Sequence, residues 1–142
     1  MGYRVRPLRS PQDARGYSWP AVLVGILLFL VGLAVVVWWV DYDLRGNLPQ
    51  GLWTVQNDIY VVFVQAADGA LAFLALVGGL GLVLGRGWGM ATALAALGAT
   101  LYAAVARLGW CLRNWPSLTP VFLGLLAFAL LGFLALHYSR RL

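Results

Sequence analysis

The sequence predicts an all-α integral membrane protein built as a four-helix bundle. Of its 142 residues, 62% are hydrophobic and 11% are charged, and the mean hydropathy of +0.82 is far above that of a soluble domain. A helix needs about 20 mostly apolar residues to cross the hydrocarbon layer. Four stretches meet that length, and they cover about 20–40, 59–84, 87–106 and 118–138. The transmembrane domain is therefore expected to occupy 19–139, with no room for a separate soluble domain.

The distribution of arginine predicts the orientation of the bundle. Seven of the ten arginines flank the first span, the middle turn or the last span on one side: Arg4, Arg6, Arg9, Arg15, Arg86, Arg140 and Arg141. The positive-inside rule then places both termini in the cytoplasm, where the basic segment 1–18 would meet anionic lipid headgroups. The net charge of +5 is thus explained without nucleic-acid binding. The use of arginine without lysine indicates a GC-rich genome. We expect the protein to lie in a prokaryotic cell (inner) membrane.

The first span is expected to remain in the protein. Its apolar run of about 20 residues is longer than the core of a secretory signal, and no small-residue cleavage pattern follows it. Pro20 suits a first helical turn. Indole rings at Trp38 and Trp39 would close the span in the headgroup zone.

The stretch 41–58 is the longest connection and is predicted to be an extracytoplasmic loop. Within it, Asn47 can cap a helix that Pro49 opens. A helix from Pro49 to Leu84 would be too long for one perpendicular crossing. We therefore expect either an interfacial segment that bends into the second span or one tilted helix.

Spans two and three form a predicted hairpin whose turn is 85–89. Asp68 lies 18 residues before Arg86, and Arg107 lies 21 residues after it. Two antiparallel helices rise equally from a tight turn, so these side chains should reach the same level. Because a charge inside the membrane costs about 2.5–3.5 kcal/mol on insertion scales and usually pairs, we predict an Asp68–Arg107 ion pair.

Each of these two spans also carries a strip of polar and small residues at helical spacing. The strip on span two contains Thr54, Asp58, Val61, Gln65, Asp68, Ala72, Ala75 and Gly79. The strip on span three contains Gly89, Ala93, Ala96, Thr100, Ala103 and Arg107. Small residues allow close helix approach in lipid, so the two strips are expected to pack together.

The end of the chain gives the remaining elements. Residues 111–119 are read as a short loop, and Pro120 then opens span four. Spans one and four consist of large aliphatic and phenyl side chains with isolated glycines, and they are expected to face lipid. Those glycines would mark contacts with the central pair or with another chain: Gly25, Gly32, Gly124 and Gly132.

The residues that most catalytic and cofactor sites require are missing. The one histidine, His137, is predicted at the inner edge of the membrane, too far out to hold a haem inside the bundle. No group of residues has metal-ligand spacing. Cys111 is the one cysteine, so it forms no internal disulfide and has no histidine base nearby. We expect neither an enzyme nor a bound cofactor or metal.

Two features keep alternative readings open. Asp68 is either a permanently ionised partner of Arg107 that fixes helix register or a protonatable carboxylate of a carrier. The neighbouring arginine favours the charged form and therefore the first reading. The outer aromatic residues form either an interfacial belt or a cleft. The candidate cleft residues are Trp53, Asp58, Tyr60, Gln65, Trp110 and Arg113.

In length and span count the chain resembles small four-helix bacterial membrane proteins such as the DoxX-like group, and no residue motif transfers a function from them. The sequence favours an accessory or scaffold subunit that binds membrane lipid and other membrane subunits, or a second copy of itself. The alternatives are a small proton-coupled carrier that uses Asp68 and an accessory subunit of quinone-linked redox chemistry.

Overall fold

The computed structural model describes residues 18–45 and 55–139, and within these ranges every regular element is helical. Helix α1 comprises Trp19–Arg45, α2 Val55–Val83, α3 Gly89–Asn114 and α4 Thr119–Ser139, with a short 3-10 helix at Pro116–Leu118 between the last two. Each of the four α-helices contains a segment long and apolar enough to cross a membrane. The protein is thus a multi-pass membrane protein by the length and composition of its helices.

The turn between α2 and α3 follows directly from its glycines. Gly85 has a φ of 65°, a left-handed conformation that glycine adopts without a Cβ penalty. The amide of Arg86 donates to the carbonyl of Gly81 at 2.9 Å, and the amide of Gly85 donates to the carbonyl of Leu82 at 3.1 Å. This pair of bonds is a Schellman motif, which caps the end of α2. Helix α3 begins a few residues later, at Gly89.

Two helix ends differ from the sequence prediction. Helix α3 continues to Asn114, so the predicted loop over 111–119 is wrong for its first four residues. The charge of Arg107 is paired (below) and does not end the helix, and the backbone bonds of α3 continue until the amide of Trp115 donates to the carbonyl of Cys111. Helix α1 also continues past Asp41 to Arg45. Charged residues such as Asp41 and Arg107 therefore lie within these helices and do not end them.

Several predicted features lie outside the described residues. These include the basic segment up to residue 17, the proposed cap at Asn47 and the helix start at Pro49. Helix α2 is described from Val55, and its apolar stretch begins at Phe63. The interfacial or tilted character of the segment before it stays a prediction.

Consecutive helices pack antiparallel, and glycines lie where they approach most closely. A Cβ on Gly25 of α1 would lie 2.9 Å from the carbonyl oxygen of Gly79 of α2, and a Cβ on Gly32 would lie 2.9 Å from that of Ala72. Between α3 and α4, a Cβ on Gly132 would meet the side chain of Leu97 at 2.9 Å. Three of the four glycines predicted to mark contacts therefore do so, whereas a Cβ on Gly124 would meet nothing within 4 Å.

The predicted small-residue strip of α2 divides between two neighbours. The backbone at Ala72 and Gly79 lies against α1, so the prediction that these residues pack on α3 is wrong. Helix α3 instead meets α2 through Gly78, whose added Cβ would lie 2.8 Å from the backbone of Ala93, and through Gly81, which contacts Gly89. Hence α2 is the central helix, with close-packed partners on two sides.

The beginning of α1 and the end of α4 meet at the turn end of the bundle. The hydroxyl of Ser18 donates to the hydroxyl of Ser139 at 2.6 Å. Buried apolar side chains from all four helices form one core between these elements. The largest that are fully buried are Leu28, Leu82, Leu97 and Leu136.

Candidate functional site

An ion pair joins α2 to α3 at the end of the bundle away from the turn. The Nη2 atom of Arg107 donates to the Oδ2 atom of Asp68. Asp68 is 4% exposed, and it is one of two buried polar residues in the described part of the chain, the other being Thr100. The two side chains predicted to share a level are thus in direct contact.

The third member of this site comes from α1. The indole N–H of Trp39 donates to the same Oδ2 atom of Asp68 at 2.9 Å. The ring of Trp39 in turn packs edge-on against the ring of Tyr42, with their centroids 5.1 Å apart. One carboxylate oxygen therefore connects three helices, and we refer to Trp39, Asp68 and Arg107 as the polar cluster.

Sequence reasoning missed the role of Trp39, which it assigned to the interfacial aromatic belt. The contact between Asp68 and Arg107 follows from counting residues on either side of a five-residue turn. The same count cannot be made between Trp39 and Asp68, because a long connection separates α1 from α2 and its path is not fixed by sequence. The one signal in the sequence was that Asp68 and Trp39 both lie toward the same end of the bundle, where an indole N–H could donate to the carboxylate.

The polar cluster has favourable electrostatics for a membrane interior. An ionised carboxylate in a low-dielectric region needs a countercharge and hydrogen-bond donors, and Arg107 and Trp39 supply both. Thr100, the other buried polar residue, donates its hydroxyl to the carbonyl of Ala96 at 2.8 Å. Bonding back to its own helix satisfies Thr100 without a partner helix.

The predicted outer cleft is only partly described. Trp53 lies outside the described residues, and Asp58 and Tyr60 lie on α2 at positions whose side chains are not described. Trp110 packs against Trp115 with ring centroids 5.9 Å apart, and Arg113 is exposed. The candidate cleft therefore stays a prediction, because three of its six side chains are not described.

Gln65 instead lines a shallow groove between α1 and α2. This groove has a volume of about 240 Å³, and its walls are aliphatic apart from Gln65 and Trp39. The lining residues are Val35, Val36, Trp39, Val40, Gln65, Gly69 and Ala72. It adjoins the polar cluster through Trp39.

A second groove, of about 300 Å³, lies between α3 and α4 toward the turn end, lined by Leu94, Phe133, Leu134, Leu136 and His137. His137 is exposed there, and its ring contacts that of Tyr138. Among the described residues no three side chains of the metal-binding types come together. Both grooves are thus lined mainly by apolar side chains.

Comparisons of the chain with protein family models, with curated proteins and with solved structures gave no match. Any function must therefore be argued from the polar cluster and the helix surfaces themselves.

Proposed function

We propose that the protein is a non-catalytic accessory or scaffold subunit of a prokaryotic cell membrane, with both termini in the cytoplasm. It would bind lipid and a larger membrane complex, or a second copy of itself, through its helix surfaces. The observation that carries this proposal is the polar cluster, in which one buried carboxylate is bonded to two neighbouring helices at once.

The geometry of the polar cluster favours a fixed role for Asp68. Both donors converge on Oδ2, so one oxygen of Asp68 is bonded to α1 and α3 at once. A proton-coupled carrier needs a carboxylate that gains and loses a proton during each cycle. At Asp68, the same oxygen accepts bonds from α1 and α3, so any change at this carboxylate would disturb both helix contacts, and we read the site as one that holds the helices in register.

The exposed surfaces support a role in binding other membrane components. Helices α1 and α4 expose large aliphatic side chains such as Leu30 and Leu131, as expected toward lipid tails. Helices α2 and α3 also expose a set of small residues, comprising Ala66, Ala67, Ala70, Ala91 and Ala95. Small side chains let another helix approach closely, so the surface of α2 and α3 is the better candidate for a protein partner.

The test compares wild-type protein with Asp68→Asn in sealed vesicles and in native membranes. We expect no pH-driven flux from the wild type and a reduced yield of folded, partner-bound protein from Asp68→Asn. Arg113→Gln is the control, because Arg113 is exposed on α3 and the change also removes one charge. Flux that the wild type shows and a well-folded Asp68→Asn variant loses would instead establish a carrier.

Two further measurements bear on the proposal. Extraction of the purified wild type should recover no quinone, and stoichiometric quinone would favour the quinone-linked alternative. Reporter fusions at the C terminus should be active only with a cytoplasmic reporter. Activity of a periplasmic reporter there would contradict the predicted orientation.

A further inference from the structure

The two charges of the polar cluster are buried to different extents. The side chain of Asp68 is 6% exposed, whereas that of Arg107 is 32% exposed. Among the described residues, Asp68 alone forms an ion pair or hydrogen bond with Arg107. A guanidinium has five N–H donors in a planar fork, so most of the donors of Arg107 remain for acceptors beyond the described part of the chain.

The depth of Arg107 limits what those acceptors are. The apolar span of α3 ends at Arg113, six residues further on, which places Arg107 about 9 Å inside it at about 1.5 Å per residue. Unsatisfied donors cost several kcal/mol in hydrocarbon. The long side chain of an arginine near the boundary lets the part of the guanidinium that does not face Asp68 be reached from the headgroup region.

We propose that the exposed edge of Arg107 binds the phosphate of a phospholipid in the leaflet at this end of the bundle. Guanidinium and phosphate form paired, charge-assisted hydrogen bonds, and Asp68 holds the guanidinium from its other side. This inference rests on the proposed function, in which the polar cluster is fixed. It adds the lipid group that is bound, a phosphate, and the side chain that binds it, Arg107.

The surroundings of Arg107 fit a lipid. On the helix surface, Ala103 lies one turn toward the membrane centre and Trp110 one turn toward the headgroups. Trp110 is 48% exposed, and indole rings favour the headgroup zone. A phosphate bound at Arg107 would thus lie about one helical turn from an exposed indole ring.

A lipid phosphate is favoured over a carboxylate from another protein by the energetics of charge transfer. A protein carboxylate would have to be carried into the apolar layer, at a cost of about 2.5–3.5 kcal/mol on insertion scales. The phosphate is already anchored at the boundary by its acyl chains. Arg107 needs only to extend to it.

The test is native mass spectrometry of the full chain in detergent, titrated with dioleoylphosphatidylglycerol. Dioleoylglycerol has the same acyl chains without the phosphate and serves as the lipid control. We expect the wild type to retain the phosphatidylglycerol and not the diacylglycerol. Arg107→Lys keeps a charge beside Asp68 but loses the planar fork, and it should weaken binding roughly tenfold.

Two further variants keep the result interpretable. Arg113→Gln removes an exposed charge from the same helix and should change binding less than about twofold, as expected for a solvated surface charge. Asp68→Asn/Arg107→Gln replaces the ion pair with two amides, so it can stay folded while losing the phosphate ligand. Its elution by size exclusion reports folding, and its lipid retention should fall at least as far as that of Arg107→Lys.

Three outcomes would overturn the inference. One is equal retention of the two lipids, and another is equal loss in Arg107→Lys and Arg113→Gln, which would indicate diffuse attraction. The third is that the wild type retains neither lipid. This result would also be expected if a partner subunit, and not a lipid, is the natural ligand of Arg107. Failure of the proposed scaffold function would be seen separately, as pH-driven flux in vesicles that depends on Asp68.

Discussion

The two ends of the α2–α3 hairpin are held together by different physical means. Near the turn, Gly78 and Gly81 bring the backbone of α2 against α3 so closely that an added Cβ would overlap it. At the far end, Asp68 and Arg107 join the same helices through a charge-assisted bond. Close to a short connection, the turn already fixes the register, so nondirectional packing suffices. Far from it, a directional bond fixes the register.

Helix α1 is also held by backbone packing at one end and by a hydrogen bond at the other. Toward the turn end, Gly25 packs its backbone on Gly79, and toward the far end Trp39 donates to Asp68. Helix α4 is held toward the turn end by the close approach of Gly132 to Leu97 and by the bond from Ser18 to Ser139. Only 11% of its most apolar stretch is buried, against 44% for α2. The first three helices thus form the fixed unit and α4 covers one side of it.

Arg107→Leu is expected to have the largest effect, because it removes the ion pair at the far end of the hairpin. This change leaves the carboxylate of Asp68 buried without its countercharge, and breaking a buried pair in this way costs about 3–5 kcal/mol. We expect a comparable fall in the free energy of unfolding, measured by titrating dodecyl sulfate into mixed micelles. Arg113→Leu is the control and should cost less than about 1 kcal/mol. Equal effects of the two changes would contradict a special role for the far-end pair.

The turn end is tested by Gly79→Ala. The new Cβ would lie 2.5 Å from the carbonyl oxygen of Gly25 and 2.8 Å from the amide of Phe29, so the helices must move apart, and overpacking of this kind costs about 1–3 kcal/mol. Gly98→Ala is the matched control, because a Cβ there would meet nothing within 4 Å. It should be neutral or stabilising by up to about 1 kcal/mol through helix propensity. A stable Gly79→Ala protein would show that the backbone contact is dispensable.

The difference between close backbone packing and directional bonds explains how far the sequence could predict the structure. Four apolar stretches and a glycine-rich turn were sufficient for four helices, and residue counting placed Asp68 opposite Arg107. The helical strip of α2 could not show that Ala72 and Gly79 face α1, because small residues permit close approach without selecting a neighbour. The end of α3 was placed at Trp110, four residues early, because the loss of apolar sequence there does not interrupt the backbone hydrogen bonds of the helix.

The contribution of α1 to the far end is measured by Trp39→Phe. The change removes the indole donor to Asp68 and keeps an aromatic ring against Tyr42. A hydrogen bond to a charged group contributes about 1.5–3 kcal/mol, and Arg107 still pairs with the carboxylate, so we expect a loss near the lower limit in the same unfolding assay. Trp38→Phe is the control, because Trp38 is 60% exposed and should lose less than about 0.5 kcal/mol. Equal losses of stability in the two variants would indicate that Trp39 acts only as an interfacial aromatic residue.

The smallest effect is expected where α4 joins the turn end. Ser139→Ala removes the acceptor for the hydroxyl of Ser18, a neutral hydrogen bond whose net contribution is about 0.5–1.5 kcal/mol. Because α4 is held mainly by apolar contact, the loss should appear as faster hydrogen exchange at the end of α4 more than as a change in global unfolding. Ser117→Ala in the exposed 3-10 helix controls for removal of a hydroxyl. If Ser139→Ala lowered stability as much as Trp39→Phe, directional bonds would govern both ends of the bundle, and the division between packing and charge would not hold.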